Sequence, residues 1–152
     1  MIQVICPVCG AALEPQGTAW RCAQGHCFDV ARQGYVNLLT VTQKHSRHPG
    51  DTREMVAARR AFLDAGWYAP IAKTLADLVR RFCPEAASVL DAGCGEGYYL
   101  SQLGWVPERW GIDISRDAVR YAAARDHSAH WLTATAAHLP FADGGFDCVL
   151  SM

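Results

Sequence analysis

Four cysteines and one histidine fall within CPVCGAALEPQGTAWRCAQGHCFD, residues 6–29. Cys6, Cys9, Cys22 and His26 have the spacing C-x2-C-x12-C-x3-H. Two ligands on one tight turn and two on a second can converge on a tetrahedral ion. Thiolate and neutral imidazole are the donors that zinc favours. Cys27 is a fifth candidate. Neighbouring side chains rarely aim at one ion, so His26 and Cys27 compete for the fourth position. Spacing favours His26 and leaves a Cys22-x4-Cys27 pairing open. A redox pair formed by Cys6 and Cys9 would leave the second Cys/His pair unexplained. A closed four-ligand site has no position for water, so it would hold a fold rather than catalyse.

A second constellation is ASVLDAGCGEGYY, residues 87–99. A buried strand runs into Asp91 and a G-x-G-x-G turn at Gly93, Gly95 and Gly97. In doubly wound sheets a nucleotide-like cofactor meets the first strand at this point. The turn is not the G-x-G-x-x-G of dinucleotide binders. Asp91 and Glu96 place two carboxylates where a pyrophosphate would be repelled. An ammonium and a sulfonium would be welcomed, which points to S-adenosylmethionine. Asp113 ends the next strand, GIDI, where an acid can accept both ribose hydroxyls.

The elements that position these groups follow from punctuation and period. Residues 1–36 read as short strands and turns, a zinc-binding module. Residues 37–84 read as a connector and two helices. Lys44, His45, Ser46, Arg47 and His48 make the connector basic, and Pro49-Gly50 closes it. Asp51 with Glu54 forms a capping box for a helix to about Ala65, with Met55, Phe62 and Leu63 as its apolar anchors. A second helix follows Pro70, with Ile71, Leu75, Leu78, Val79 and Phe82 at helical spacing. From residue 85 onward strands and helices alternate: SVLDA, a helix from about Gly97, WGIDI, a helix begun by Ser115, HWLTA, and FDCVLSM. That rhythm predicts a parallel sheet covered by helices.

The 152 residues are 51% hydrophobic and 19% charged, with net charge -1. This is globular composition without a global pull toward polyanions. Residues 1–60 carry seven Lys/Arg against four acids, and residues 61–152 seven against eleven. The asymmetry points to a polyanion on the N-terminal side. No secretory leader opens the chain and no apolar run reaches the ~18 residues of a membrane span, so a reducing cytoplasm is expected.

DAGCGEG, GIDIS and LPF…FD, in that order, resemble a class I methyltransferase. With CPVC…C…H…FD, GYVNLL and ARRAFLDAG-x-Y, the chain is similar over essentially its whole length to the 23S rRNA guanine-N1 methyltransferases. That resemblance implies an α/β fold: an N-terminal zinc-ribbon-like module, a helical linker, and the first half of a Rossmann-like class I methyltransferase sheet at residues 85–152. It implies zinc ligands Cys6, Cys9, Cys22 and His26. It implies a cofactor pocket that includes Tyr68, Gly95 and Glu96 alongside Asp91, Gly93, Gly97 and Asp113. The expected cofactors are S-adenosylmethionine and one structural zinc. The expected reaction is methylation of guanine N1 in a hairpin loop of large-subunit rRNA. A zinc-stabilised RNA-binding module without catalysis is the alternative.

Lys44, Arg47 and Arg53, with Arg59 and Arg60, are the candidate RNA contacts, and Tyr35 and Trp20 the candidate base-stacking platforms. Expected partners are the rRNA hairpin, a second copy of the chain, and a C-terminal half supplied elsewhere; no membrane is expected. The sheet supplies about four strands where a complete one has about seven, so a catalytic base is not identified. Little methyl transfer is expected from this polypeptide alone, and its fourth strand should be an exposed apolar edge. His138, His127 and His130 read as solvated or packing, and Cys83, Cys94 and Cys148 as packing thiols.

Overall fold

A computed structural model describes residues 2–44, 47 and 49–152. Strands β1 (Leu13–Gln16), β2 (Ala19–Cys22) and β3 (Cys27–Asp29) form an antiparallel sheet in the order β1-β2-β3. A second sheet has the order β4-β7-β6-β5-β8, from β4 (Tyr35–Asn37), β5 (Ser88–Ala92), β6 (Glu108–Asp113), β7 (His130–Thr133) and β8 (Cys148–Leu150). All its described pairings are parallel. The helices are α1 (Arg53–Asp64), α2 (Ala69–Phe82) and α3 (Arg116–Arg125). The architecture is therefore mixed α/β, a small three-stranded antiparallel sheet joined to a five-stranded parallel sheet with helices.

Alternation along the strands divides the core into two faces. Tyr35, Val89 and Trp131 point to one, where α2 and α3 bring Val79, Val119 and Ala122. Val36, Leu90, Trp110, Ile112 and Leu132 point to the other. There the cover is the N-terminal segment, through Ile2, Val4, Cys6 and Leu13. Backbone bonds fix that cover: Ile5 N donates to Pro140 O at 2.9 Å, and Ala142 N to Gln3 O at 3.1 Å. The boundary expected at residue 36 falls inside β4, which pairs with β7 and ties the two regions together.

Several local expectations are corrected. The N-cap of α1 is Thr52, whose hydroxyl accepts from Met55 N, while the Asp51 carboxylate bonds Arg59. The buried face of α1 carries Val56 and Leu63; Met55 and Phe62 are exposed. The α-helix expected directly from about Gly97 does not form before β6. A 3-10 turn, Leu100–Leu103, takes its place, because Gly104 and Pro107 leave only a short run before β6. Ser115 does cap α3, accepting from Ala118 N.

At the edge next to β5, Asp147 fixes the register of β8. Its Oδ2 accepts from Ala87 N, Ser88 N and Ser88 Oγ at 2.9–3.0 Å. Val149 on this outer strand is exposed, as are Ile71, Leu78 and Phe82 on α2. No helix among the described residues is long and apolar enough to cross a membrane.

Candidate metal and cofactor sites

The cysteine turns bring four ligand atoms together. Those of Cys6, Cys9, Cys22 and His26 all lie within 4.8 Å of one another. Cys9 and Cys22 sulfurs are 3.7 Å apart, and His26 Nδ1 lies 3.6 Å from Cys6 Sγ and 3.4 Å from Cys22 Sγ. A tetrahedron with Zn–S of about 2.3 Å and Zn–N of about 2.0 Å has S–S edges of ~3.8 Å and S–N edges of ~3.5 Å. The donor set and its spacing therefore fit zinc. Cys27 is outside the group, exposed on β3. Cys6 and Cys22 are buried against Leu13 and Val36, so the cluster belongs to the core beneath the sheet.

The glycine loop leaves the C-terminal end of β5 and crosses that of β6. Gly93 N and Cys94 N both donate to Ile112 O at 2.9 Å. Asp113 clamps the turn: Oδ2 accepts from Gly95 N at 2.9 Å, and Oδ1 from Ser115 N at 2.8 Å. Each oxygen keeps a lone pair for a further donor. Asp91 is different. It is 1% exposed, and neither carboxylate oxygen has a hydrogen-bond partner. Burial, with the Asp113 charge, pushes its carboxyl up to about 7. A buried carboxylate with no hydrogen-bond partner, beside an open loop, favours a cationic group placed next to it.

Glu96 is not equivalent to Asp91. Its Oε2 accepts from Arg125 at 2.6 Å, and the same guanidinium nitrogen bonds Asp64 at 2.8 Å. Burial holds the Glu96 carboxyl above its ordinary range despite Arg125. Much of its charge is thus compensated from α3, and Oε1 alone is unpartnered. The loop offers one uncompensated carboxylate rather than two. Sequence alone does not show this, because Arg125 is distant in the chain and nothing in its spacing points to Glu96.

A cavity of about 370 Å³ opens beside the loop. Gly93, Gly95 and Glu96 form its floor, and Phe62, Tyr68 and Tyr99 its aromatic wall. Phe62 and Tyr68 meet edge to face at 5.0 Å between ring centroids. Tyr68 is thus brought to the loop by the turn between α1 and α2. Phe62 and Tyr99 are lining residues that sequence reading missed; the YY following the glycines was the available signal for Tyr99. Aromatic faces suit an ammonium or sulfonium. Of the sequence-predicted residues, Tyr68, Gly93, Gly95 and Glu96 line this cavity, whereas Asp91, Gly97 and Asp113 lie behind it in the loop and the strand ends.

The glycines differ in what they permit. Gly97 has φ +82°, and a Cβ there would lie 2.8 Å from Trp131 Cη2 and 3.1 Å from Ala122 Cβ. Gly95 has φ +54°, and its Cβ would meet only Arg59 Nη1, at 3.9 Å. Gly97→Ala is therefore expected to destabilise the chain by about 2–4 kcal/mol, from overpacking plus left-handed strain. Gly95→Ala should cost about 1 kcal/mol of stability and act mainly on cofactor affinity, because its methyl enters the cavity. Thermal melts paired with cofactor titrations separate the two.

His138 is exposed in the turn after β7, and Tyr35 is buried, its hydroxyl accepting from Arg116 Nε at 3.2 Å. Trp20 packs edge to face on Trp110. Tyr35 is therefore not an open stacking platform, whereas Trp20 is half-buried and lines a separate cavity with Trp110 and His130. Lys44, Arg47 and Arg53 line one cleft beside Ile114, away from the glycine-loop cavity. His45, Ser46 and His48 lie outside the described residues.

Comparison with known proteins gives the following. Residues 4–47 match the zinc-ribbon family model described as RlmA, N-terminal, and residues 89–152 one described as Methyltransferase domain. A Micromonospora griseorubida protein named putative 23S rRNA (guanine-N(1)-)-methyltransferase is 41% identical over 160 residues, covering 91% of this chain and 53% of that one. The 23S rRNA (guanine(748)-N(1))-methyltransferase of Streptomyces fradiae is 45% identical over 123 residues, covering 78% and 43%. The chain spans about half the length of these relatives. Among solved structures, SAM-bound CalS10 is an amino pentose methyltransferase from Micromonospora echinaspora involved in calicheamicin biosynthesis. It superposes with a TM-score of 0.55 at 22% identity, over 71% of this chain and 44% of that one, a likeness of fold.

Proposed function

From a chain that joins an RlmA-type zinc ribbon to a methyltransferase domain, and is homologous over most of its length to proteins named 23S rRNA guanine-N1 methyltransferases, we propose the N-terminal part of an rRNA guanine-N1 methyltransferase. It holds one structural zinc and S-adenosylmethionine, and works in the cytoplasm on a hairpin of large-subunit rRNA. The observation that carries the cofactor reading is Asp91, buried at the glycine loop with both oxygens unpartnered.

The residues divide the work. Asp91 takes the cofactor's ammonium, whose charge and N–H donors its two unpartnered oxygens can accept. Asp113 accepts ribose hydroxyls through its remaining lone pairs while it holds Gly95. Tyr68, Phe62 and Tyr99 exclude water and face the sulfonium side. Gly93 and Gly95 allow close backbone approach; Gly97 serves packing against Trp131. S-adenosylmethionine supplies an electrophilic methyl group when bound. Guanine N1 carries a proton at neutral pH, so transfer requires proton removal together with alignment of the ring. Cys6, Cys9, Cys22 and His26 hold the zinc and, through it, the cover on the second face of the sheet.

The test is incubation of the zinc-loaded chain with S-adenosylmethionine and a large-subunit rRNA hairpin, followed by primer extension. N1-methylguanine blocks Watson–Crick pairing, so reverse transcriptase stops beside the modified base. Stops at guanines, even at the low yield expected of this N-terminal part alone, support the reading. Methyl incorporation without a guanine stop would contradict the N1 assignment.

A further inference from the structure

A second cleft, of about 600 Å³, lies at the same end of the parallel sheet as the glycine loop. Its floor is the C-terminal ends of β4, β7 and β6, at Asn37, Thr133 and Ile114. Five cations line it: Lys44, Arg47, Arg53, Arg116 and Arg120. Three acids share the lining, Asp51, Glu54 and Asp117. Asp51 is already held by Arg59 at 2.8 Å. Asp117 meets Arg120 at 3.4 Å in a partly exposed pair, which offers little attraction. The cleft therefore has cationic surplus.

Two features make it more than a charged surface. Arg116 is pre-aimed, because the buried Tyr35 hydroxyl holds its Nε. The cleft also shares α1 with the cofactor cavity. Thr52, Arg53 and Glu54 at the start of α1 line the cleft, and Arg59, Phe62 and Leu63 line the cavity. Six residues of helix advance about 9 Å, so a chain gripped in the cleft could place a neighbouring base at the cavity. The connector turn fixes this junction: a Cβ at Gly50 would lie 2.9 Å from Ile114 Cγ2, and Ser115 Oγ donates to Asp51 O at 2.9 Å.

We propose that this cleft holds the phosphate backbone of the substrate RNA, with Arg116 and Arg120 on α3 as phosphate contacts beside Lys44, Arg47 and Arg53. This rests on the rRNA methyltransferase reading and extends its RNA surface from the connector to α3. Phosphates bind fixed guanidinium groups well, and each contact adds to the salt dependence of binding.

The test is fluorescence anisotropy of a labelled RNA hairpin with a guanine-containing loop, titrated over a range of salt concentrations. The variants are Arg116→Gln/Arg120→Gln, the single Arg120→Gln, and an Arg80→Gln/Arg81→Gln control on α2. Arg120 makes only partly exposed contacts, with Asp117 and the Tyr121 ring, and does not bond the buried Tyr35, so its single variant remains informative if the double variant melts early. The double variant is expected to lose roughly 10- to 100-fold in affinity and to flatten the salt slope by about 2, and the single variant by about 1. S-adenosylmethionine affinity should be unchanged, and the control should match wild type. Wild-type-like RNA binding by the α3 variants would overturn this inference and leave the methyltransferase reading intact. A loss confined to cofactor affinity would also overturn it, assigning the cleft to the nucleoside. Failure of the wild-type chain to bind the hairpin would sink both.

Discussion

Asp91→Asn is expected to stabilise the cofactor-free chain at alkaline pH and to weaken its hold on S-adenosylmethionine. The carboxyl is buried with no hydrogen-bond partner, and burial raises it from 3.8 to about 7. The folded state thus keeps a proton that the unfolded state releases. The stability this contributes is fully present below about pH 4 and is lost as pH rises through about 7. The loss amounts to at most about 4 kcal/mol. Asparagine removes the charge but leaves a buried amide in need of acceptors, so the net gain at pH 8 should be about 2 kcal/mol. Wild-type stability should slope downward between pH 4 and 7, and that slope should shrink in the variant. Cofactor affinity should fall by about 10- to 100-fold, the worth of a hydrogen bond to a charged group. Wild-type affinity should rise with pH up to about 7, where Asp91 ionises. Chemical denaturation and cofactor titration across pH check each limb. A variant that binds the cofactor as tightly as wild type would remove Asp91 from the site.

The second large effect concerns zinc. Cys9→Ser should destabilise the chain by at least about 5 kcal/mol, or roughly 10–20 °C in melting temperature for this size, given that structural zinc is worth ~10–16 kcal/mol in small modules. Cys9 is exposed, so the substitution removes a ligand without emptying core volume. The loss should spread beyond the ribbon. Cys6, Cys22 and Leu13 share a cluster with Leu90, Trp110 and Leu132 of the parallel sheet. Freeing the zinc therefore uncovers one whole sheet face. Cys27→Ser is the matched control, expected to keep one zinc per chain and wild-type stability. Zinc loss in Cys27→Ser with retention in a His26 variant would reverse the ligand assignment.

The same two regions show how much function is written locally. Cys6, Cys9, Cys22 and His26 come together as their spacing suggests, because two short turns need no distant partner to face each other. The Gly93–Gly97 turn and Asp113 were legible for a similar reason, being set by a strand end and the next strand end. What sequence did not show depends on distant partners. Tyr35–Asn37 is too short to read as a strand and becomes one only by pairing with Trp131–Thr133. The N-terminal ribbon reads as a separate module, yet it covers the sheet through Val4 and Leu13, a surface no local pattern reveals. On α1, Met55 and Phe62 have the hydrophobicity of core residues, but the helix lies on Val56 and Leu63. Glu96 reads as a free acid until Arg125 is placed beside it.

The central claim is that the glycine loop is an S-adenosylmethionine pocket in this chain. Calorimetric titration of S-adenosylmethionine into the zinc-loaded protein tests it most directly. One site per chain, weakened by Asp91→Asn and untouched by Cys27→Ser, is the predicted result. No binding by a chain that is folded and holds its zinc would contradict the claim and leave a zinc-stabilised RNA-binding module.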